Sequence, residues 1–461
     1  MNNLTYEDIR FTEVTEVTED NYDDNYDDIN DDIYNEIDNE YGFFTNEEEG
    51  YLIENAFYLI EHHIKKNALV YNDPNYQDII INNILELLAI QMYAVYDLNE
   101  DNTNDTDDID DLKNHLTSII KYAFKLFHKH VSPKRSFKRT FIRKNPNIPL
   151  IASTIDHLKN KPQPEQKTDE WYKFRYNTLT ASNIWKAFGS QSSINQLIYE
   201  KCNTFTLNKY STSMDTPMHW GHKYEPISVM VYEDRYKTKV GEFGCILHDT
   251  YDFIAASPDG INILDTSKRY GRMLEIKNIV NREINGIPKL EYWIQMQIQM
   301  EVCNLNECDF LETKFVEYSS KEEYDMDGSF NYTEDNKLKG IIMLFNQNDT
   351  PLYVYAPLHM SSNEFEKWEE KMMETYSDLV WIQNIYWKLN EISCVLVLRN
   401  KLWFSQAIPV LNELWNTIQR EKISGHEHRA PKRKINRKHM NENEPDDIKN
   451  KCLINISDLN E

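Results

Sequence analysis

The chain has 461 residues, 27% of them charged, with a formal net charge of −26. That length can bury a large core and holds more than one structural unit. The sequence suggests no long apolar run and no signal peptide, so a soluble intracellular protein is expected. Six cysteines (Cys202, Cys245, Cys303, Cys308, Cys394 and Cys452) lack C-x-x-C spacing, which argues against zinc and for reduced thiols.

The first fifty residues hold 18 acids and one base, Arg10, and so account for −17 of the net charge. The near-repeat Asn21-Tyr22-Asp23-Asp24-Asn25-Tyr26-Asp27-Asp28 lies within them. This composition predicts an acidic disordered tail over 1–50, with a DNA mimic as the functional alternative. Residues 51–146 read as a helical region with a basic end. Tyr51, Leu52, Ala56, Ile60 and Ile64 recur at helical spacing, Ile79–Tyr93 is apolar, and Leu112–Lys129 is amphipathic. The basic end runs from Lys121 to Lys144, with Phe124, Phe127, Phe137 and Phe141 interleaved. Either a solvated basic helix end or a track for a nucleic-acid backbone fits that pattern.

Residues 147–360 read as an α/β core, a small mixed sheet flanked by helices. Expected strands are Phe243–Leu247, Phe253–Ser257, Met273–Asn278, Phe310–Glu317, Ile341–Phe345 and Leu352–Tyr355. Within this core Ser257-Pro258-Asp259-Gly260 is followed by Glu275-Ile276-Lys277. On a strand, Glu275 and Lys277 share a face and Ile276 points into the core. Asp259, in a hairpin turn with Gly260 accepting positive φ, would bring a second carboxylate to the same place. Hard oxygen donors of this kind suit Mg²⁺ or Mn²⁺, with the lysine toward an attacking water or a phosphate. Alone, Pro-Asp-Gly is an ordinary turn and Glu-x-Lys a solvated pair.

The company they keep raises them above that. Upstream stand Gln166-Lys167-Thr168-Asp169-Glu170-Trp171-Tyr172-Lys173-Phe174-Arg175, then Leu179-Thr180-Ala181-Ser182-Asn183-Ile184, then Trp220-Gly221-His222-Lys223-Tyr224-Glu225-Pro226; downstream is Tyr292-Trp293-Ile294-Gln295-Met296-Gln297. This ordered series, from about Gln166 to Tyr318, resembles the YqaJ-like viral recombinases, the lambda-type exonucleases of the PD-(D/E)XK nuclease superfamily.

The resemblance implies a restriction-endonuclease-like core and a Mg²⁺- or Mn²⁺-dependent nuclease with one or two ions. Asp259, Glu275, the Ile276 carbonyl and Glu225 would then be metal ligands, with Lys277 and Gln295 completing the catalytic set. Arg175 and Ser182 would bind the terminal 5′-phosphate; a surface ion pair and a helix cap are their ordinary alternatives. Duplex DNA ends are the implied partner, with a single-strand annealing protein and a homo-oligomeric ring also implied. Together with the wealth of Asn, Ile, Asp and Tyr, the resemblance points to a large DNA virus or a phage. An endonuclease, an RNA nuclease or a non-catalytic DNA-binding scaffold are the competing readings.

Residues 361–423 are expected to be C-terminal helices, Glu364–Ile382 and Ser405–Arg420. The remainder, 424–461, is expected to be a disordered basic and polar tail, with Arg429, Lys432, Arg433, Lys434, Arg437 and Lys438 as a nuclear-import patch or DNA arm.

Overall fold

The computed structural model describes residues 43–96, 98, 106–143, 146–205, 216–348 and 350–431. Most of the acidic tail, and the C-terminal tail from Lys432, lie outside these residues.

Helix α1 (Asn46–Lys66) begins at a capping box: the Thr45 hydroxyl accepts from the Glu48 N–H, and the Glu48 carboxylate accepts from the Thr45 N–H at 2.8 Å. Residues 46–50, expected in the disordered tail, are therefore helical, with Glu47, Glu48 and Glu49 at the positive end of the helix dipole. Glu49 is buried and lies 2.9 Å from His115 Nε2. Helices α2 (Tyr76–Tyr96) and α3 (Thr106–His130) pack beside α1 through Ile60, Ile84, Leu116 and Phe127. Contrary to expectation, α2 is long and apolar enough, by length and composition, to cross a membrane.

The basic end of this region is built into the fold. Phe124, Phe127 and Phe137 are buried. The Phe137 and Thr140 N–H groups donate to the carbonyls of Leu396 (3.0 Å) and Cys394 (2.9 Å). Arg135 is buried and donates to the carbonyls of Tyr71 and Pro288. Arg143 pairs with Glu307 at 3.1 Å. These bases serve packing, which corrects the nucleic-acid track for the residues that make these bonds.

Next come α4 (Ile148–Asn160), α5 (Asp169–Tyr176), β1 (Leu179–Thr180), the one-turn α6 (Ala181–Ile184), α7 (Gln191–Cys202) and α8 (Pro217–Tyr236). The strands follow as β2 (Val240–Gly241), β3 (Ile246–Leu247), β4 (Ile254–Ala256), β5 (Gly260–Asn262) and β6 (Met273–Asn278). After α9 (Leu290–Cys303) and β7 (Glu307–Glu317) come α10 (Lys321–Met326), β8 (Lys339–Gln347), β9 (Thr350–Tyr355), α11 (Ser362–Thr375), β10 (Val380–Leu398) and α12 (Lys401–Ser424). Two sheets result, a three-stranded one ordered β1-β4-β3 and a seven-stranded one ordered β2-β5-β6-β7-β10-β8-β9. The β6–β7 and β1–β4 pairs are parallel, and the other pairs are antiparallel.

Strand β10 overturns the expectation of helices alone after residue 360. It spans 19 residues, pairs with β7 over Trp387–Leu398 and with β8 over Val380–Lys388, and so joins the two halves of the sheet. Its β-branched and aromatic residues favour strand, and burial against two neighbours outweighs the helical pattern read up to Ile382. At the far end Arg429 is not in a free tail either, because it pairs with Glu421.

Strand β6 is covered on both faces. Leu274 and Ile276 pack with Tyr232 of α8, whereas Met273 joins the core that holds Met296 and Ile298 of α9. Alternation therefore turns Glu275 and Lys277 toward α9.

Candidate active site

The segment Ser257-Pro258-Asp259 is a crossover between the two sheets, not a hairpin turn. Strand β4 ends at Ala256 in the small sheet and β5 starts at Gly260 in the large one. The hairpin is β5–β6, with Gly260 opposite Leu274. One residue back along β5 and one forward along β6, Asp259 faces Glu275. Gly260 keeps φ outside the left-handed range. It must be glycine for another reason: a Cβ there would lie 2.1 Å from Val240 Cγ1 on β2.

The side chains are locked together. Asp259 Oδ2 accepts the Ile276 N–H at 2.7 Å. One oxygen of the fully buried Glu275 pairs with the Lys277 ammonium, and the other accepts the Gln299 amide at 2.7 Å. The Lys277 ammonium also lies 4.9 Å from the centroid of the Tyr292 ring. Burial pushes the Asp259 carboxyl well above the usual range, and Glu275 and then Glu225 push the same way against Lys277 and the Ile276 N–H. For Lys277, burial pulls downward, but Glu275 and Asp259 outweigh it and hold the ammonium above the ordinary lysine value. Charge attraction thus wins over desolvation, which the sequence left open.

Glu225 reaches the site from α8, where Pro226 sits inside the helix and leaves the His222 carbonyl without its helical donor. Glu225 and Asp259 line one cleft of about 590 Å³, together with Gln163, Gln166, Lys167 and Phe243. Among the described residues no three His, Cys, Asp or Glu side chains close to metal-binding geometry. The chemistry nevertheless fits a hard divalent cation: Asp259, driven toward protonation by burial and then by Glu275 and Glu225, sits among carboxylates that added positive charge would hold ionised.

Gln295, the expected active-site glutamine, makes no hydrogen bond to a described residue. Gln299, one turn further on the same face, is the glutamine that holds Glu275. Its i+4 spacing from Gln295 was the available signal.

Arg175 and Ser182 are brought together. Arg175 Nη2 donates to Ser182 Oγ at 2.8 Å, and the guanidinium lies 4.2 Å from the centroid of the Trp171 ring. Thr168 caps α5, its hydroxyl accepting the Trp171 N–H at 3.2 Å. The Trp171 indole then donates to Ser257 Oγ at 3.0 Å. Sequence reasoning missed Ser257; the clue was its place two residues before Asp259. One short segment therefore touches both clusters, Ser257 through the Trp171 ring that Arg175 stacks on and Asp259 through the Ile276 N–H beside Glu275. No carboxylate lies in ion-pair reach of Arg175 among the described residues, and burial lowers the affinity of the guanidinium for its proton.

An Asp at the head of one strand, Glu-x-Lys on its antiparallel neighbour, a covering helix and a parallel third strand make up the arrangement that the sequence resemblance implies. Residues 170–306 match the model of the YqaJ-like viral recombinase domain. A viral relative, uncharacterized protein R354 of Acanthamoeba polyphaga mimivirus, is 33% identical over 341 residues, which cover 65% of this chain and 60% of that protein. The fold also compares with the alkaline exonuclease LHK-Exo of Laribacter hongkongensis, at 19% identity and a TM-score of 0.33, covering 55% of this chain and 94% of that one. The LHK-Exo complex with dAMP compares at 18% identity and the same TM-score of 0.33.

Proposed function

We propose that this domain is a divalent-metal-dependent deoxyribonuclease that degrades duplex DNA from a 5′ end, in viral DNA recombination or repair. The observation that carries this reading is the Asp259–Glu275–Lys277 cluster, set across the β5–β6 hairpin beside the cleft that Glu225 lines. Asp259, Glu275, Glu225 and the Ile276 carbonyl would hold Mg²⁺ or Mn²⁺, which when bound polarises the phosphate and activates water. Gln299 fixes the Glu275 carboxylate from behind. The Lys277 ammonium stays charged and stabilises negative charge building on the phosphate oxygens. Gln295, whose amide has no hydrogen-bond partner among the described residues, offers it to a phosphate oxygen on the same helical face.

The Arg175–Ser182 pair supports use of a DNA end. A guanidinium with no carboxylate in ion-pair reach among the described residues and a hydroxyl 2.8 Å from it make a fork for a terminal phosphate. An internal phosphodiester carries less charge than a terminal phosphate, so this pair supports the exonuclease reading over an endonuclease.

Purified protein incubated with Mg²⁺ and end-labelled linear, nicked and covalently closed duplexes tests the reading. Loss of the linear duplex from its 5′ end is expected, with closed circles intact. Rapid loss of closed circles would make it an endonuclease, and RNA degradation alone an RNA nuclease. No cleavage with any metal would leave a DNA-binding scaffold.

A further inference from the structure

The end pocket contains a buried cation that the proposed reaction has not used. Lys201, near the end of α7, is 6% exposed, and its ammonium donates to the Arg175 carbonyl at 2.6 Å. Among the described residues it has no carboxylate within ion-pair distance. A buried ammonium without a counter-charge is costly, and proteins ordinarily pair it.

The groups around it do not supply that counter-charge. Glu200, its neighbour on α7, is engaged with Lys186 at 2.9 Å and Gln196 at 2.8 Å. From α12, Lys422 brings another cation, lying 5.4 Å from the Tyr176 ring centroid and 5.7 Å from that of Trp415. From the segment before β3, the Cys245 thiol is buried and kept neutral, because burial raises its pKa. From α5 comes Arg175 itself. A buried ammonium and a half-buried guanidinium, the first holding the main chain of the second and neither paired with a carboxylate among the described residues, form a site in want of an anion.

We propose that Lys201 is a positioning residue of the DNA-end pocket, holding Arg175 by its carbonyl and taking the terminal phosphate dianion as the counter-charge the protein withholds. The proposal rests on the end-binding reading of Arg175 and Ser182, and adds to it a proton linked to end capture. Burial, and then Arg175, bring the Lys201 pKa down to about 7 in the free protein, against a weaker opposing pull from Glu200. An arriving dianion raises it again. Preference for phosphorylated ends is therefore fullest where Lys201 is already protonated in the free protein, and declines as pH rises from about 7 to the pKa of the bound state. Below about pH 6 the phosphate itself becomes a monoanion and the preference declines on that side too.

The test measures Kd of the full chain for two hairpin duplexes that differ only in a 5′-phosphate or 5′-hydroxyl, with metal chelated so that no bond breaks. The ratio of the two constants is followed with pH at fixed salt. In the wild type the ratio should fall by up to about tenfold per pH unit between the free-state pKa of about 7 and the higher bound-state pKa, and level off above it. Lys201→Met should give a small ratio that no longer follows pH in that range. Lys201→Arg, whose charge does not titrate there, should restore the ratio and hold it at high pH. A wild-type ratio flat above neutrality would overturn the proposal without any variant having to fold. A Lys201→Met protein with the wild-type ratio and slope would overturn it too, leaving Arg175 as the end reader alone. If the wild type made no distinction between the ends, the end-binding reading would fall with it.

Discussion

Two stretches of this chain concentrate charge next to aromatic residues, and they put it to opposite uses. In the β5–β6 hairpin and α9, Asp259, Glu275 and Lys277 satisfy one another only in part: Asp259 is driven toward protonation and an open cleft lies beside it. In the stretch after α3, Arg135, Thr140 and Arg143 reach carbonyls and carboxylates, and Phe137 packs with Leu396 and Leu398. The first arrangement leaves electrostatic demand for a ligand, whereas the second meets most of its demand within the protein, with Arg135 Nη2 alone of its buried side-chain atoms left without a partner among the described residues. Charge in a sequence thus marks a site only where the fold withholds the partner.

The sharpest way to break this contrast is Glu275→Gln. Turnover should fall on the order of a thousandfold, about 4 kcal/mol of transition-state stabilisation, while duplex binding without metal persists. Single-turnover rates beside binding isotherms check it, and near-wild-type turnover would take Glu275 out of the catalytic set. Arg135→Ala should do the reverse. Removing a buried guanidinium that holds the Tyr71 and Pro288 carbonyls should cost about 3 kcal/mol of stability, read from urea unfolding. Its preference between phosphorylated and hydroxyl ends should stay at the wild-type value.

His128 sharpens the second half of the comparison. Burial is the main cause that lowers its pKa from 6.5 to about 4; its Nδ1 is bonded to the Ser132 carbonyl at 2.9 Å and its Nε2 lies 3.0 Å from the Tyr76 hydroxyl. The unfolded chain takes up a proton that the folded chain refuses, so its contribution is whole above about pH 6.5 and is lost as pH falls toward 4. Wild-type stability should drop by up to about 3 kcal/mol across that window from this residue. Urea midpoints against pH should show a shallower acid slope in His128→Gln.

The smallest expected effect is at the DNA end. Arg175→Ala should lose about 1.5–3 kcal/mol on phosphorylated ends only, roughly ten- to a hundredfold in rate. Ser182→Ala should do the same more weakly. The rate ratio on the two kinds of end at fixed salt measures both, since backbone affinity alone depends strongly on salt. Equal slowing of both substrates would make Arg175 a general phosphate contact.

Local chemistry made part of this protein legible in its sequence. Period-two alternation on Met273–Asn278 set Glu275 and Lys277 on one face with Ile276 opposite, and the structure has the strand over those residues. Thr168 before two acids marked a helix start for the same local reason: a hydroxyl reaches the N–H groups just beyond it. Long-range pairing decided the rest. Nothing near Asp259 says that the chain changes sheets there, because the partners of β4 and β5 lie in distant segments. Strand β10 exists because β7 and β8 flank it, and Arg135 is structural because Tyr71 and Pro288, remote in sequence, present carbonyls to it. Which glutamine of α9 reaches Glu275 depends on how that helix rolls on the sheet, and so does Lys277's gain of charge over desolvation. Alternation and capping act within a few residues, so sequence determines them; burial and counter-charge are properties of what arrives from elsewhere, and only the tertiary structure decides them.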